Sequence, residues 1–195
     1  MAWDTEGTKS KILEAAIQEF AKYGPNGTTI DKIAKLAKVN KERIYNYYGD
    51  KHKLFEHILQ NELIKVAESL PIKSFATEDI IEYAENAYDY HRDHPALSRL
   101  LLWEGLTYEN EVPNEVLRKK HYNYKVNAII EGQKAGKITN TLDAEYIAFL
   151  VLSLANSWFT LPQMARMLSP IDRESDHTAR KALIAEAVKR LIQVA

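Results

Sequence analysis

Residues 41–48 read Lys-Glu-Arg-Ile-Tyr-Asn-Tyr-Tyr, a stretch rich in side chains able to hydrogen-bond a nucleic acid. At about 100° per residue, with Ile44 as the inward anchor of a helix, Glu42 and Asn46 fall roughly 160° and 200° from it and point outward. Arg43 and Tyr45 lie on the flanks, and Tyr48 returns toward the core. Arginine suits guanine, asparagine suits adenine, and glutamate can accept from the cytosine amino group. Tyr45 and Lys51 can donate to phosphate oxygens, as can Thr28 or Thr29 and the N–H groups at helix starts. The local charge fits that chemistry. Residues 28–53 hold seven basic side chains, among them Lys41, Arg43 and Lys51, against three acidic ones. Tyr45, Tyr47 and Tyr48 interleave aromatic rings among the cations.

Such a face needs helices to hold it. A first helix is predicted from about Thr8 to Tyr23, with Ile12, Leu13, Ala16, Ile17, Phe20 and Ala21 on one stripe. Gly24-Pro25-Asn26-Gly27 stops it. A second helix opens at Thr28-Thr29 and ends near Lys38, and a tight Val39-Asn40 turn leads into the third, Lys41 to Tyr47. Gly49-Asp50 ends that helix and caps a fourth from Lys51. Two short helices around a tight turn make a helix-turn-helix. Further helices are predicted at 77–93, 95–104, 115–134, from Asp143 to a kink or stop at Pro162, and at 178–194. No run of strict alternation occurs, so the chain is predicted all-α with about nine helices.

The composition narrows the function classes. Hydrophobic residues make up 46 % and charged residues 27 % of 195, a globular balance. The absence of cysteine excludes disulfides, thiolate metal sites and cysteine nucleophiles. No apolar leader precedes Lys11, so a cytoplasmic protein is expected. The uncharged stretch 146–165 has nearly the roughly 20 residues of a membrane span. It carries Ser153, Asn156, Ser157, Thr160, Pro162 and Gln163, however, and reads better as a buried helix. His91 and His94 have a metal-compatible spacing without an evident third ligand, so no metal site is expected. No phosphate-binding glycine loop, nucleophile elbow or zincin motif is present. Neither an enzyme nor a cofactor is expected.

Thr28-Thr29-Ile30-Asp31-Lys32-Ile33-Ala34, then Ala37-Lys38-Val39-Asn40, then Ile44-Tyr45-Asn46-Tyr47-Tyr48-Gly49-Asp50-Lys51 and Leu54-Phe55 resemble the signature of the tetracycline-repressor (TetR) family. The resemblance covers about residues 8–60. It implies a homodimeric transcriptional regulator, usually a repressor, with a three-helix DNA-binding domain (1–53) and a larger helical ligand-binding and dimerisation domain (54–195). By motif position, Thr29, Tyr45 and Lys51 take the phosphate contacts, while Arg43 and Asn46 occupy recognition positions. Lys41, Glu42 and Tyr47 complete the expected DNA face, with Thr28 beside Thr29. Two residues depart from the pattern. Lys38 stands where glycine is frequent, so the turn must tolerate a side chain. Glu42 stands where a small residue is common, and a carboxylate facing DNA repels phosphate unless it accepts from cytosine.

The resemblance also implies a dimer bundle built from the last two helices. Leu154 and Trp158 on one, with Leu183, Ala187 and Leu191 on the other, are its expected contacts. The middle of the chain is aromatic, and aromatics at helical spacing serve a core as readily as a pocket. The ligand candidates are Tyr83, Tyr90, Trp103, Glu104, Tyr124, Asn156 and Phe159, suited to a small hydrophobic or amphipathic effector. The expected partners are double-stranded DNA with a palindromic operator, the effector and a second copy of the chain, with no membrane. The alternatives are an effector-independent DNA-binding regulator or a helical protein-interaction module. Residues 1–53 carry ten basic and seven acidic side chains, and residues 54–195 sixteen and twenty. A positive head thus adjoins a negative body, which limits non-specific binding of DNA elsewhere on the chain.

Overall fold

The computed structural model describes residues 5–72, 74, 76–168 and 176–194. Ten helices and no strands occur among them: α1 Thr5–Gly27, α2 Ile30–Ala37, α3 Lys41–Tyr48, α4 Lys51–Ser69, α5 Thr77–Asp93, α6 Pro95–Thr107, α7 Glu115–Lys134, α8 Ala144–Thr160, α9 Pro162–Leu168 and α10 His177–Ile192. The chain divides into two compact units. One holds the described residues of Met1–Lys65 with Ala96–Asn114, and the other holds those of Val66–Pro95 with Glu115–Ala195. Most of α4, and α6 from Ala96 on, pack with the N-terminal unit.

The physical reason lies in α1. Gly24 takes φ 72° and kinks the helix, and Pro25 follows it. Pro25 has no N–H, so the Ala21 carbonyl loses its helical donor. Two side chains of α6 replace it: Arg99 Nε donates to Ala21 O at 2.6 Å and Trp103 Nε1 at 3.4 Å. The indole fills the space above Gly24, where a β-carbon would stand 2.6 Å from its Cε3 atom. Leu100 then enters the core formed by Ile12, Phe20, Ile33, Ile44 and Phe55. Phe20 and Phe55 meet edge-to-face at 5.2 Å in that core.

The α2–α3 turn tolerates Lys38 by placing it in the left-handed region, at φ 55° and ψ 44°. Val39 N–H donates to Ala34 O at 3.0 Å and Lys38 N–H to Lys35 O at 3.3 Å, the paired bonds of a Schellman motif.

In the second unit α5, α8 and α10 surround Ala84, Tyr88, Ile147, Val151, Ile184 and Val188. The α7–α8 connection is tied by Gln133 Nε2, which donates to Thr139 O at 2.9 Å and Leu142 O at 2.8 Å. Thr139 N–H reaches Ile192 O at the end of α10 at 3.0 Å. Pro162 divides the long uncharged segment, since α8 stops at Thr160 and α9 leaves it at 83°. This break supplies the tenth helix, one more than the sequence predicts. No single helix among the described residues is long and apolar enough to cross a membrane.

Gly24→Ala is expected to lower unfolding stability by about 2 kcal/mol, through left-handed strain plus collision with Trp103. Lys38→Gly is expected to raise it by about 1 kcal/mol by removing the left-handed penalty from an exposed position. Urea unfolding of each variant against the parent measures both.

Candidate nucleic-acid interface

The helix-turn-helix is built from short capped segments. Thr29 caps α2 by accepting from Lys32 N–H at 3.3 Å. Asn40 caps α3 by accepting from Glu42 N–H at 3.1 Å. Asp50 accepts from Lys53 N–H at 2.9 Å at the start of α4, and that backbone bond holds its carboxyl below the usual carboxylate range. Ile44 is fully buried and anchors α3 against α1 and α2. Lys41, Glu42, Tyr45, Asn46 and Tyr47 consequently stand exposed along one helix of about 12 Å. Of these, Glu42, Tyr45 and Asn46 belong to the outward face derived from the helical periodicity, whereas Lys41 and Tyr47 fall nearer the Ile44 side of that wheel and are exposed nonetheless.

The charges on this face are partly answered from within. Lys41 Nζ pairs with Asp31 at 3.1 Å, joining α3 to α2, and this pairing raises the lysine pKa. Glu42 Oε2 accepts from Asn40 Nδ2 at 3.4 Å, which draws its carboxylate back over the helix start. Tyr47 lies edge-to-face with Tyr48, and the Lys9 ammonium stands 5.8 Å from its ring centroid.

Three of the expected residues also make hydrogen bonds within the fold. Thr28 is 1 % exposed and its hydroxyl donates to Glu19 Oε2. Its side chain therefore fastens the α1–α2 corner, and the exposed Thr29 hydroxyl is the one directed outward. Arg43 is half-buried, and its Nη1 donates to Thr8 Oγ1 at 3.3 Å, bracing α3 against α1. Lys51 Nζ donates to Thr28 O at 3.1 Å, which staples the start of α4 to the start of α2 and leaves two ammonium protons for a phosphate. Lys9 and Lys53, which the motif did not single out, gather beside Tyr47 and His57. Local sequence carries no signal for that grouping, because α1, α3 and α4 bring it together only in the fold.

The expected ligand residues are dispersed. Trp103 and Glu104 belong to the N-terminal unit, where Trp103 serves the α1 kink and Glu104 is buried. Tyr90 stacks on His94 at 4.1 Å, and Phe159 packs against Tyr88 at 5.2 Å. Tyr124 is 74 % exposed. Tyr83 is buried beside a small cavity near Leu70 and Asn86. Of the ligand candidates, Asn156 lines an apolar groove between α7 and α8. Of the dimer candidates, Leu154, Trp158 and Leu191 pack partly against their own core, Ala187 is half-buried, and Leu183 is 58 % exposed. No cluster of three or more metal-ligating side chains occurs among the described residues.

Comparison with known proteins agrees with this architecture. Residues 12–58 match the model for bacterial regulatory proteins of the tetR family, and residues 79–190 match a tetracyclin repressor-like C-terminal domain. The chain is 43 % identical over 168 residues to the HTH-type transcriptional repressor SCO4008 of Streptomyces coelicolor, covering 86 % of each chain. It is 28 % identical to the HTH-type transcriptional regulator RutR of Escherichia coli K12, over 94 % of this chain and 88 % of that one. Among solved structures, the transcriptional regulator SCO4942 of Streptomyces coelicolor superposes with a TM-score of 0.81 at 27 % identity, covering 95 % of this chain and 98 % of that one. Both halves of the chain match domain models of one family, and the chain belongs to the tetR family of DNA-binding bacterial transcriptional regulators.

Proposed function

We propose that this chain is a homodimeric repressor that binds a palindromic operator and leaves it when a small apolar or amphipathic effector occupies the second unit. The observation that carries the reading is the exposed α3 face, with Tyr45 and Asn46 outward beside Thr29 and the Lys51 staple. Thr29, Tyr45 and Lys51 take phosphates; Asn46 reads a base edge, and Glu42 reads one only where cytosine offers its amino group. That the 43 % identical relative is a transcriptional repressor supports the direction of regulation.

The second copy is drawn by two apolar stripes. Tyr146, Leu150 and Leu154 recur at four-residue spacing on α8, as do Leu183, Ala187 and Leu191 on α10. Tyr146 is 63 % exposed, an apolar load that a monomer would leave in water. Pairing these stripes across a two-fold axis gives a four-helix contact and presents two α3 helices about 34–36 Å apart to successive major grooves. An effector that binds better to a state with the wrong spacing releases DNA by linkage.

Lys51→Ala is expected to weaken binding to every sequence and to lower the salt slope by about one. Asn46→Ala is expected to cost about 1–3 kcal/mol of discrimination at a single base position. Fluorescence anisotropy on operator and scrambled duplexes, across a salt series, separates the two; equal loss on all sequences for Asn46→Ala removes its reading role. Operator affinity unchanged at saturating effector rejects induction. Leu183→Glu is expected to shift the chain from dimer to monomer in sedimentation equilibrium at micromolar concentration, and a parent that is already monomeric there overturns the dimer.

A further inference from the structure

The first half of α1, the end of α3 and the first turns of α4 line an open cleft of about 570 Å³ in the N-terminal unit. Its wall is aromatic. Tyr47 and Tyr48 meet edge-to-face at 6.3 Å, and Tyr48 lies 5.1 Å from the His57 ring. Burial, and then the nearby Lys9, hold the His57 pKa below its ordinary value, so this ring is a neutral wall near pH 7. The charged groups of the lining are Lys9 and Lys53 with one carboxylate, Glu6. Tyr47 lines the cleft and is also exposed on α3, so the cleft is continuous with the side of the head assigned to DNA.

Lys51 and Lys53 share the first turn of α4 but diverge. Lys51 reaches Thr28 O, just past the end of α1. Lys53 lines the cleft with Glu6 and Lys9, from the beginning of that helix. A β-carbon on Gly49 would stand 3.1 Å from Lys53 Cδ and 3.9 Å from its Nζ, so the lysine stem lies on the α3–α4 corner. Lys53 is exposed and has no carboxylate within ion-pair distance among the described residues. The Asp50 carboxylate is engaged by the Lys53 main-chain N–H instead, at 2.9 Å. Lys9 pairs with Glu6 at 3.0 Å, and its ammonium stands 5.8 Å from the Tyr47 ring centroid. The Glu6 side chain is 86 % exposed, and an ion pair so open to water contributes little. A phosphate can therefore replace Glu6 as the partner of Lys9 at small cost.

We propose that this cleft is a second phosphate-binding site of the head, in which Lys53 and Lys9 take a backbone phosphate of the bound duplex and Glu6 competes with the DNA for Lys9. The Tyr47 hydroxyl is a further donor to the same strand. The occupant is duplex backbone because the cleft adjoins the α3 face, and a helix seated in a major groove has a phosphate strand along each of its sides. The proposal rests on the α3 reading above for where the duplex lies.

Fluorescence anisotropy across a salt series tests it, with the full chain and the duplex that the parent enriches from a random-sequence library. Lys53→Gln and Lys9→Gln are each expected to lower the salt slope by about one, and the double variant by about two. Glu6→Gln is expected to tighten binding by about threefold, because it removes the competitor for Lys9. Lys11→Gln, exposed on the opposite side of α1 by the helical period, is expected to leave the slope unchanged. Methylphosphonate at one linkage at a time then locates the contact. One neutral linkage is expected to weaken the parent but not Lys53→Gln, and a different one to weaken the parent but not Lys51→Ala. Unchanged slopes in both lysine variants overturn the proposal, as does a loss no greater than that of Lys11→Gln or a linkage profile that Lys53→Gln leaves intact. Weaker binding by Glu6→Gln overturns the competition. Cleft variants that behave as expected while Asn46→Ala keeps full base discrimination uphold the cleft and reject the α3 reading. Lost discrimination in Asn46→Ala with unchanged cleft variants does the reverse, and a parent that enriches no duplex overturns both.

Discussion

The N-terminal unit depends on a single carbonyl. Pro25 removes the donor that Ala21 O would have had, and a buried main-chain acceptor left unmatched costs on the order of 1–3 kcal/mol. The fold resolves this by recruiting Arg99 and Trp103 from a helix more than seventy residues away. Much of the head's construction follows from that exchange. Gly24 lets the chain turn, the indole occupies the room its missing side chain leaves, and Leu100 completes the core beneath. Beyond the kink, Thr28 grips Glu19 while its own carbonyl receives Lys51, so the starts of α2 and α4 are fixed to one point. The α3 helix is then braced from the other side by Arg43 on Thr8.

Signals confined to a few neighbouring residues translated into structure well. Thr29, Asn40 and Asp50 cap the helices their positions suggest, Pro95 opens α6, and α7 runs from Glu115 to Lys134 as its composition and the closing Gly136 indicate. The outward set Glu42, Tyr45 and Asn46 followed from Ile44 and the helical period alone. Features that depend on distant partners were not legible. The periodicity around Trp103 is the same whether the ring lines a pocket or closes a kink, and only the missing N–H of Pro25, far away in sequence, decides between them. Arg43 was placed correctly on the helix flank, but no wheel shows that Thr8 stands within its reach. Thr77 and Asp143 precede or open their helices without making a side-chain cap bond, and Ala76 takes the capping position of α5. Composition marks a helix start better than it selects the capping atom.

The second unit uses α8 on three sides at once. Ile147, Val151 and Ala155 turn to the core, Phe149 and Leu152 to the groove with α7, and Tyr146 and Leu150 to solvent. From Tyr146 to Thr160 the helix carries no charge, and its one carboxylate, Glu145, is confined to the first turn. The segment that first reads as a membrane candidate is therefore a helix whose apolar residues serve the core and the groove. Its 83° break at Pro162 ends that role before the apolar run is long enough to be anything else.

The helix starts of the head differ in the charge they hold. Helix N-termini attract anions, but the α3 start already holds the Glu42 carboxylate, drawn there by Asn40, and the α4 start holds Asp50. The α2 start is capped by the uncharged hydroxyl of Thr29, and the nearby Asp31 charge is answered by Lys41. The head thus holds a carboxylate at the starts of α3 and α4 and a neutral hydroxyl at the start of α2, so of the three only the α2 start carries no added negative charge from its cap.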